Sequence, residues 1–350
     1  MDPLKIDTVK LSDAGDALVI IDQTLLPNEV RYLSLTAIED IWEAIRALRV
    51  RGAPAIGVAA AFGAYLAAYY APDAELEGRF LAACDYLATS RPTAVNLFWA
   101  LDRMRAAHGR VKALPPADIR AALRAEAQAV MDEDIEISRS IGRYGLSLLR
   151  PGMGILTHCN AGTLATAKYG TALAPVYAAI ERGLPGLRVY CDETRPLLQG
   201  ARLSAFEMVS AGVDTTLLCD NMASSLMKSG KVDIIFVGCD RVARNGDAAN
   251  KIGTSGVAIL AAHYGIPFYV CAPSSTIDGA IASGADIPIE FRPPEEVTEL
   301  WYEKRMAPEG VGVYNPAFDV TDAGLITGII TERGLVRAPF EEGFRALGLV

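Results

Sequence analysis

Over the first third of the chain, apolar residues recur with the period of a helix. In Thr36–Val50, the residues Ile38, Ile41, Trp42, Ile45 and Leu48 share one face, and Thr36 with Glu39 forms a capping box ahead of them. From Gly52 to Pro72 no residue is charged, but the run is mostly Ala, Gly and Tyr. A membrane span needs about 20 strongly apolar residues, so this stretch predicts a helix buried inside the protein. A second helical stretch, AVNLFWALDRM, follows Arg91-Pro92-Thr93, and His108–Asp118 (HGRVKALPPAD) breaks the pattern and reads as a loop. A long helix is then expected from Asp118 to about Leu149, with Ile119, Leu123, Val130, Ile141 and Leu148 among its apolar positions.

After Pro151 the rhythm changes. The short apolar runs GILTH, LRVYC, TTLLC, DIIFV and FYVCA alternate with helical patterns, the signature of buried parallel strands in βαβ units. The fold class predicted is α/β: an α+β domain over 1–117, a linking helix over 118–149, and a Rossmann-like, doubly wound, mostly parallel sheet over 150–350. Four of these strands run straight into a cysteine and the fifth, DIIFVG, reaches one a residue later: Cys159, Cys191, Cys219, Cys239 and Cys271. Polar residues follow, among them Asn160, Asp192, Asp220, Asp240 and Ser274. Open parallel sheets bind ligands outside the carboxyl ends of their strands, so chemistry is expected along this edge. Cys191, Cys219, Cys239 and Cys271 read as small buried hydrophobes.

The net charge of −9 argues against non-specific binding to nucleic acid or to anionic membranes, both of which need excess Lys and Arg. MDPLKIDTVKL lacks the basic stretch and apolar core of a signal peptide. With six cysteines and three histidines but no CxxC pair or His cluster, no zinc site is expected. The thiols read as reduced and the compartment as cytoplasmic.

Several segments can carry chemistry. Arg51-Gly52-Ala53-Pro54 opens the Ala-rich helix and Arg91-Pro92-Thr93 opens the next. A flexible glycine, free helix N–H groups and an arginine suit an anion, although an ordinary loop would look the same. No Walker loop or dinucleotide fingerprint is present, so no nucleotide is expected. In THCNAGTLAT, Asn160 or Thr163 is placed to cap a helix, which would set Cys159 near its positive end and favour a thiolate. Gln199-Gly200 suits hydrogen bonding to sugar hydroxyls. Asp240 follows an apolar strand, so partial desolvation should raise its pKa and fit it to general-acid work. Asn250 and Lys251 are expected to open the following helix, with Lys251 meeting a phosphate, while Asp247 and Asn245-Gly246 shape the loop.

Taken in order, RGAPAIGVAAAFG, RPTAVNLFWALDRM, ILTHCNAGTLATA, DETRPLLQGARL, GCDRVARNGDAANKIGT and NPAFDVTDAGLITGIITERG resemble the methylthioribose-1-phosphate isomerase family from about Arg51 to Gly334. Its superfamily also holds a ribose-1,5-bisphosphate isomerase and regulatory subunits of the translation initiation factor 2B exchange complex. The resemblance implies a cofactor-free homodimer in methionine salvage that turns a 5-modified aldose 1-phosphate into its ketose. It implies Cys159 and Asp240 as the catalytic pair, and Arg51, Gly52, Ala53, Arg91, Gln199, Asn250 and Lys251 as substrate contacts. Cys239 stands where the family pattern has alanine, which keeps a 5-deoxyribose 1-phosphate isomerase, or the bisphosphate enzyme, as alternatives for the 5-substituent. A non-catalytic phosphosugar- or nucleotide-binding subunit is the alternative from another class.

With its phosphate on the anomeric carbon, such a sugar needs a proton donor at the ring oxygen as the C1–O bond breaks, and then transfer of hydrogen from C2 to C1 as proton or hydride. Because the sequence offers no compact metal-ligand set, isomerase activity is expected to survive exhaustive chelation. Loss of activity that a divalent ion restores would contradict this.

Overall fold

The computed structural model describes residues 6–91 and 94–350, so Pro92 and Thr93 lie outside the described residues, as do the first five. Contacts divide the chain into two compact units. One runs to Ser138 and also includes Gly162–Gly170; the other comprises Arg139–Ala161 and Thr171–Val350.

The first unit opens with β1 (Val9–Leu11), β2 (Leu18–Ile21) and β3 (Tyr32–Leu35), an antiparallel sheet in that order. There follow α1 (Ile38–Arg46), α2 (Ala53–Tyr70), α3 (Leu76–Ala88), α4 (Val95–Val111) and the larger part of α5 (Pro116–Leu146). The capping box does not form. The N-cap is Ala37, in extended conformation with no side-chain bond, which leaves Thr36 one position too early. The loop expected over His108–Asp118 shrinks to Lys112–Pro115. His108 stays in α4, buried and stacked on Phe80 at 4.9 Å, and Pro116, which needs no N–H partner, starts α5.

α2 is the centre of this unit. It is long and apolar enough to cross a membrane, yet 72% of it is buried inside the protein. Its small residues serve close packing: a Cβ on Gly57 would lie 3.0 Å from the Asn96 carbonyl oxygen of α4, and one on Gly63 would press on Leu87 and Ile41. Short side chains let helix axes approach, so neighbouring backbones supply the dispersion attraction that longer side chains would otherwise provide.

The second unit carries β4 (Gly154–Thr157), α6 (Ala174–Glu181), β5 (Arg188–Asp192), α7 (Ala205–Ser210), β6 (Asp214–Leu218), α8 (Ala223–Lys228), β7 (Ile234–Val237), β8 (Arg241–Ala243), β9 (Ala248–Lys251), α9 (Thr254–Tyr264), β10 (Phe268–Cys271), β11 (Ile277–Asp278), α10 (Glu295–Thr298), β12 (Phe318–Thr321), β13 (Gly328–Thr331), β14 (Gly334–Val336) and α11 (Phe340–Ala346). The main sheet has the order β14-β13-β10-β7-β4-β5-β6, and a smaller one the order β11-β8-β9-β12. All pairings in the main sheet are parallel except β13 with β14. β4, β7, β10 and β13 are buried at every position. Their unbroken apolar runs reflect burial on both faces.

From β4 the chain steps outward to β5 and β6, then crosses back to place β7 on the other side of β4. The strand order therefore reverses between β4 and β7.

Close packing at the start of α7 rests on Gly200, where a Cβ would come within 1.7 Å of the Asp192 carbonyl oxygen. Gly200→Ala is expected to lower stability by about 1–3 kcal/mol, the usual cost of overpacking. Gly78, exposed on α3 with nothing near a built Cβ, gives the opposite sign: Gly78→Ala should stabilise by about 0.5–1 kcal/mol. Denaturant midpoints of the two variants check both signs.

Candidate functional site

Where strand order reverses, the loops after the two flanking strands part and leave a crevice at the carboxyl edge. Here those loops carry Cys159, two residues after β4, and Asp240, three residues after β7. They run close together, since a Cβ on Gly238 would sit 2.7 Å from the Ala161 Cβ.

Cys159 is held firmly. It is buried, at 8% exposure, and its backbone adopts φ of +68°, a left-handed conformation that costs a non-glycine residue about 1–2 kcal/mol. Its N–H donates to Thr194 Oγ1 at 2.8 Å, and its carbonyl accepts from Ser204 Oγ at 2.7 Å. Thr194, itself at φ of +64°, donates its hydroxyl to the Asp192 carbonyl. Asn160 donates to Ser204 Oγ and Glu207 Oε1, and Tyr177 donates to Glu207 Oε2. Burial and the adjacent Glu207 carboxylate push the Tyr177 hydroxyl well up, which keeps it a neutral donor.

Three expectations about this edge need correction. Cys159 does not sit at a helix start: the chain next makes a three-residue 3₁₀ turn, Thr163–Ala165, and α6 begins only at Ala174. Asp240 is exposed rather than buried like its strand, because it lies on the loop, three residues beyond the end of β7. Neighbouring Arg241 turns to Asp278, 3.3 Å away. Asn250 and Lys251 close strand β9 rather than open a helix, since Gly253, at φ of +103°, resets the chain before α9. Asn250 donates to Thr254 Oγ1, and the Lys251 ammonium lies 4.5 Å from the centre of the Phe318 ring. Asp247 shapes its loop as anticipated: burial raises its pKa, but Asn245 and the Gly284 and Ala323 N–H groups bind the carboxylate and hold the value below the usual range.

Gln199 is buried, and its Oε1 has no hydrogen-bond partner, as expected of an acceptor built for something outside the chain. Cys191 and Cys271 are buried as expected, whereas Cys219 and Cys239 are half-buried, and the Glu193 carboxylate is the main cause raising the Cys219 thiol pKa. Burial pushes Cys239 up to about 12 and Cys191 and Cys271 higher.

The remaining expected residues lie in the first unit. Arg51 is half-buried, Gly52 caps α2 at φ of +91°, Ala53 begins the helix, and Arg91 is half-buried four residues ahead of α4. The Gly57–Asn96 contact brings the starts of α2 and α4 side by side. Gly52 is obligatory, since a Cβ there would strike the Ala165 carbonyl at 2.3 Å.

The sequence reading passed over His158. The ring is buried at 1% exposure, with Nδ1 3.0 Å from Asp192 Oδ2 and Nε2 2.9 Å from the Ile252 carbonyl. The missed signal was its place, directly before a strand-end cysteine on the ligand-binding edge. Among the described residues His158, Asp192 and Asp220 lie close enough to share a cation. Most of their donor atoms are already engaged, both imidazole nitrogens as above and the Asp220 carboxylate by the Thr194 and Arg195 N–H groups at 2.7 Å each, while Asp192 Oδ1 is buried without a hydrogen-bond partner.

Residues 49–338 match the Initiation factor 2 subunit family. The methylthioribose-1-phosphate isomerase of Symbiobacterium thermophilum is 66% identical over 99% of this chain and 97% of its own length. The 5-deoxyribose 1-phosphate isomerase of Petrotoga mobilis is 57% identical over 97% of this chain and 98% of its own. The crystal structure of 5-methylthioribose 1-phosphate isomerase from Pyrococcus horikoshii OT3 superposes with a TM-score of 0.94 at 44% identity, covering 99% of this chain and 97% of that one. That of the translation initiation factor eIF-2B subunit delta from A. fulgidus gives 0.91 at 40%, covering 98% and 99%.

An unmet buried acceptor costs about 1–3 kcal/mol. Gln199→Met, which removes it at similar volume, is therefore expected to hold or raise the melting temperature. Thermal unfolding in the absence of ligand checks the sign.

Proposed function

The chain belongs to the Initiation factor 2 subunit family, and we propose that it is an aldose–ketose isomerase converting 5-methylthioribose 1-phosphate to 5-methylthioribulose 1-phosphate. The observation that carries this reading is the pairing of Cys159 and Asp240 on the two loops that flank the reversal of strand order. A thiol and a carboxyl at such a crevice fit proton traffic at adjacent carbons without a cofactor.

In this reading Asp240 donates to the ring oxygen as the C1–O bond opens. Cys159 as thiolate then takes the C2 proton and returns it to C1, or stabilises charge near C1 while the C2 hydrogen moves there as hydride. By either route the C2 hydroxyl proton passes to the Asp240 carboxylate as the ketone forms, restoring the acid. Gln199, Asn250 and Lys251 contact the substrate, as do Arg51, Gly52, Ala53 and Arg91. The unmet acceptor on Gln199 supports its assignment. The names of the relatives, 66% and 57% identical, support the reaction class. The second of them favours 5-deoxyribose 1-phosphate as an additional substrate. Discrimination by an apolar pocket against one methylene-sized change is only about 10–200-fold, so turnover of both sugars is consistent with one site. The family resemblance supports a cytoplasmic homodimer, and the net charge of −9 supports the absence of a nucleic-acid partner.

A panel of methylthio-, deoxy- and unmodified ribose 1-phosphates with ribose 1,5-bisphosphate is the test. The methylthio sugar should be preferred. Preference for the bisphosphate, or no turnover of any member, would overturn the proposal. Asp240→Asn and Cys159→Ser should fold normally and lose about 10²–10⁴-fold in kcat, the usual contribution of a positioned proton-transfer group. Deuterium from solvent at C1 of the ketose would mark a proton route, and its absence a hydride route.

A further inference from the structure

His158 is the best-anchored side chain beside the site, and nothing in the proposed chemistry uses it. The Ile252 carbonyl can only accept, so Nε2 must carry a proton. Across the 3.0 Å contact at the other nitrogen, either Nδ1–H donates to the Asp192 carboxylate or a protonated Asp192 donates to Nδ1. Either way two protons are held, one in each link. Losing one of them breaks a link in a place with no water to replace it, because the two side chains are 1% and 0% exposed.

The two links reach different parts of the site. Asp192 ends β5, and its carbonyl accepts from the Thr194 hydroxyl, which in turn accepts the Cys159 N–H. Ile252 directly follows Asn250 and Lys251. Gly253 makes room for the ring, since a Cβ there would lie 2.8 Å from His158 Cε1.

We propose that His158 is a positioning residue, whose doubly bonded ring ties the loop carrying Cys159 both to the end of β5 and to the strand end carrying Asn250 and Lys251. This rests on the reading of Cys159 as catalytic. The arrangement explains how a non-glycine residue is kept in a left-handed conformation next to a sheet edge: the side chain before it is fixed at both ends.

The charged groups facing the ring are Asp192 and, further off, Asp220. Burial pulls the His158 pKa down, but the hydrogen bond and charge of Asp192, with the Ile252 carbonyl, more than offset this and hold it above the usual histidine value. A raised histidine pKa stabilises the fold fully below about 6.5, the value in the unfolded chain, and that stabilisation is lost as pH rises through the folded value.

Two substitutions cut one link each. In His158→Gln the amide nitrogen takes the place of Nε2 and keeps the Ile252 bond, whereas in His158→Asn it takes the place of Nδ1 and keeps the Asp192 bond. A misplacement of about 1 Å costs about 10²-fold. His158→Gln is therefore expected to lower kcat about 10²-fold at nearly unchanged KM, and His158→Asn to raise KM as well. Unaltered kcat and KM per folded molecule in both variants would overturn the proposal. Nitrogen-15 NMR of the histidine-labelled wild type gives a readout independent of turnover and of variant folding. It should find Nε2 protonated at neutral pH; a ring carrying its proton only on Nδ1 would leave the Ile252 link unmade and overturn the double bonding. Normal turnover by Cys159→Ser would instead sink the reading of the site, while the NMR measurement would still judge His158.

Discussion

β4 is hydrogen-bonded to parallel partners on both sides and buried at all four positions. Everything at the carboxyl edge depends on that constraint. Only a glycine fits at the first position of β4, since a Cβ on Gly154 would lie 1.9 Å from the Lys231 carbonyl oxygen. A one-residue slip would drive a side chain into that backbone, so the point at which the chain emerges is fixed. With β7 locked against it, the exits of the two strands are fixed relative to each other, and the loops bearing Cys159 and Asp240 inherit that precision.

The loops themselves are held by polar contacts that do not depend on the sheet. Thr194 and Ser204 grip the backbone of Cys159 from β5 and the start of α7, and Asp220 grips Thr194 and Arg195 from beyond β6. Successive strand ends thus brace one another sideways. Each brace uses a group that would otherwise be a buried, unmet donor or acceptor, so satisfying the backbone and fixing the site are one task.

Much of this was legible in the sequence because it follows from hydrophobic period. Runs such as IIFV and GILT, buried on both faces, read directly as parallel strands, and the polar residues after them read as a ligand edge. The α/β class with a smaller α+β part was therefore within reach, and so were Cys159, Asp240 and Gln199 as candidates. Features set by three-dimensional neighbours were not. Thr36 missed its capping role by one residue, His108 stayed helical because Phe80 stacks on it, and Asn250 and Lys251 became a strand because β12 lay ready to pair with β9. Asp240 looked buried because its strand is, yet three residues of loop carried it to the surface. His158 escaped notice because its partners, Asp192 and Ile252, lie 34 and 94 positions away.

Gly162–Gly170 belongs by its contacts to the unit that precedes it by many residues. The Thr8 hydroxyl and the Gln23 amide donate to the carbonyls of Thr163 and Leu164, 155 and 141 positions downstream, and the Ala167 N–H donates to Asp134. During synthesis the helices around α2 can gather early, but the first unit lacks these partners until the ribosome has also made β4 and the Cys159 loop. Neither unit is one uninterrupted piece of chain, so cutting the gene at the boundary near residue 138 would leave both halves incomplete.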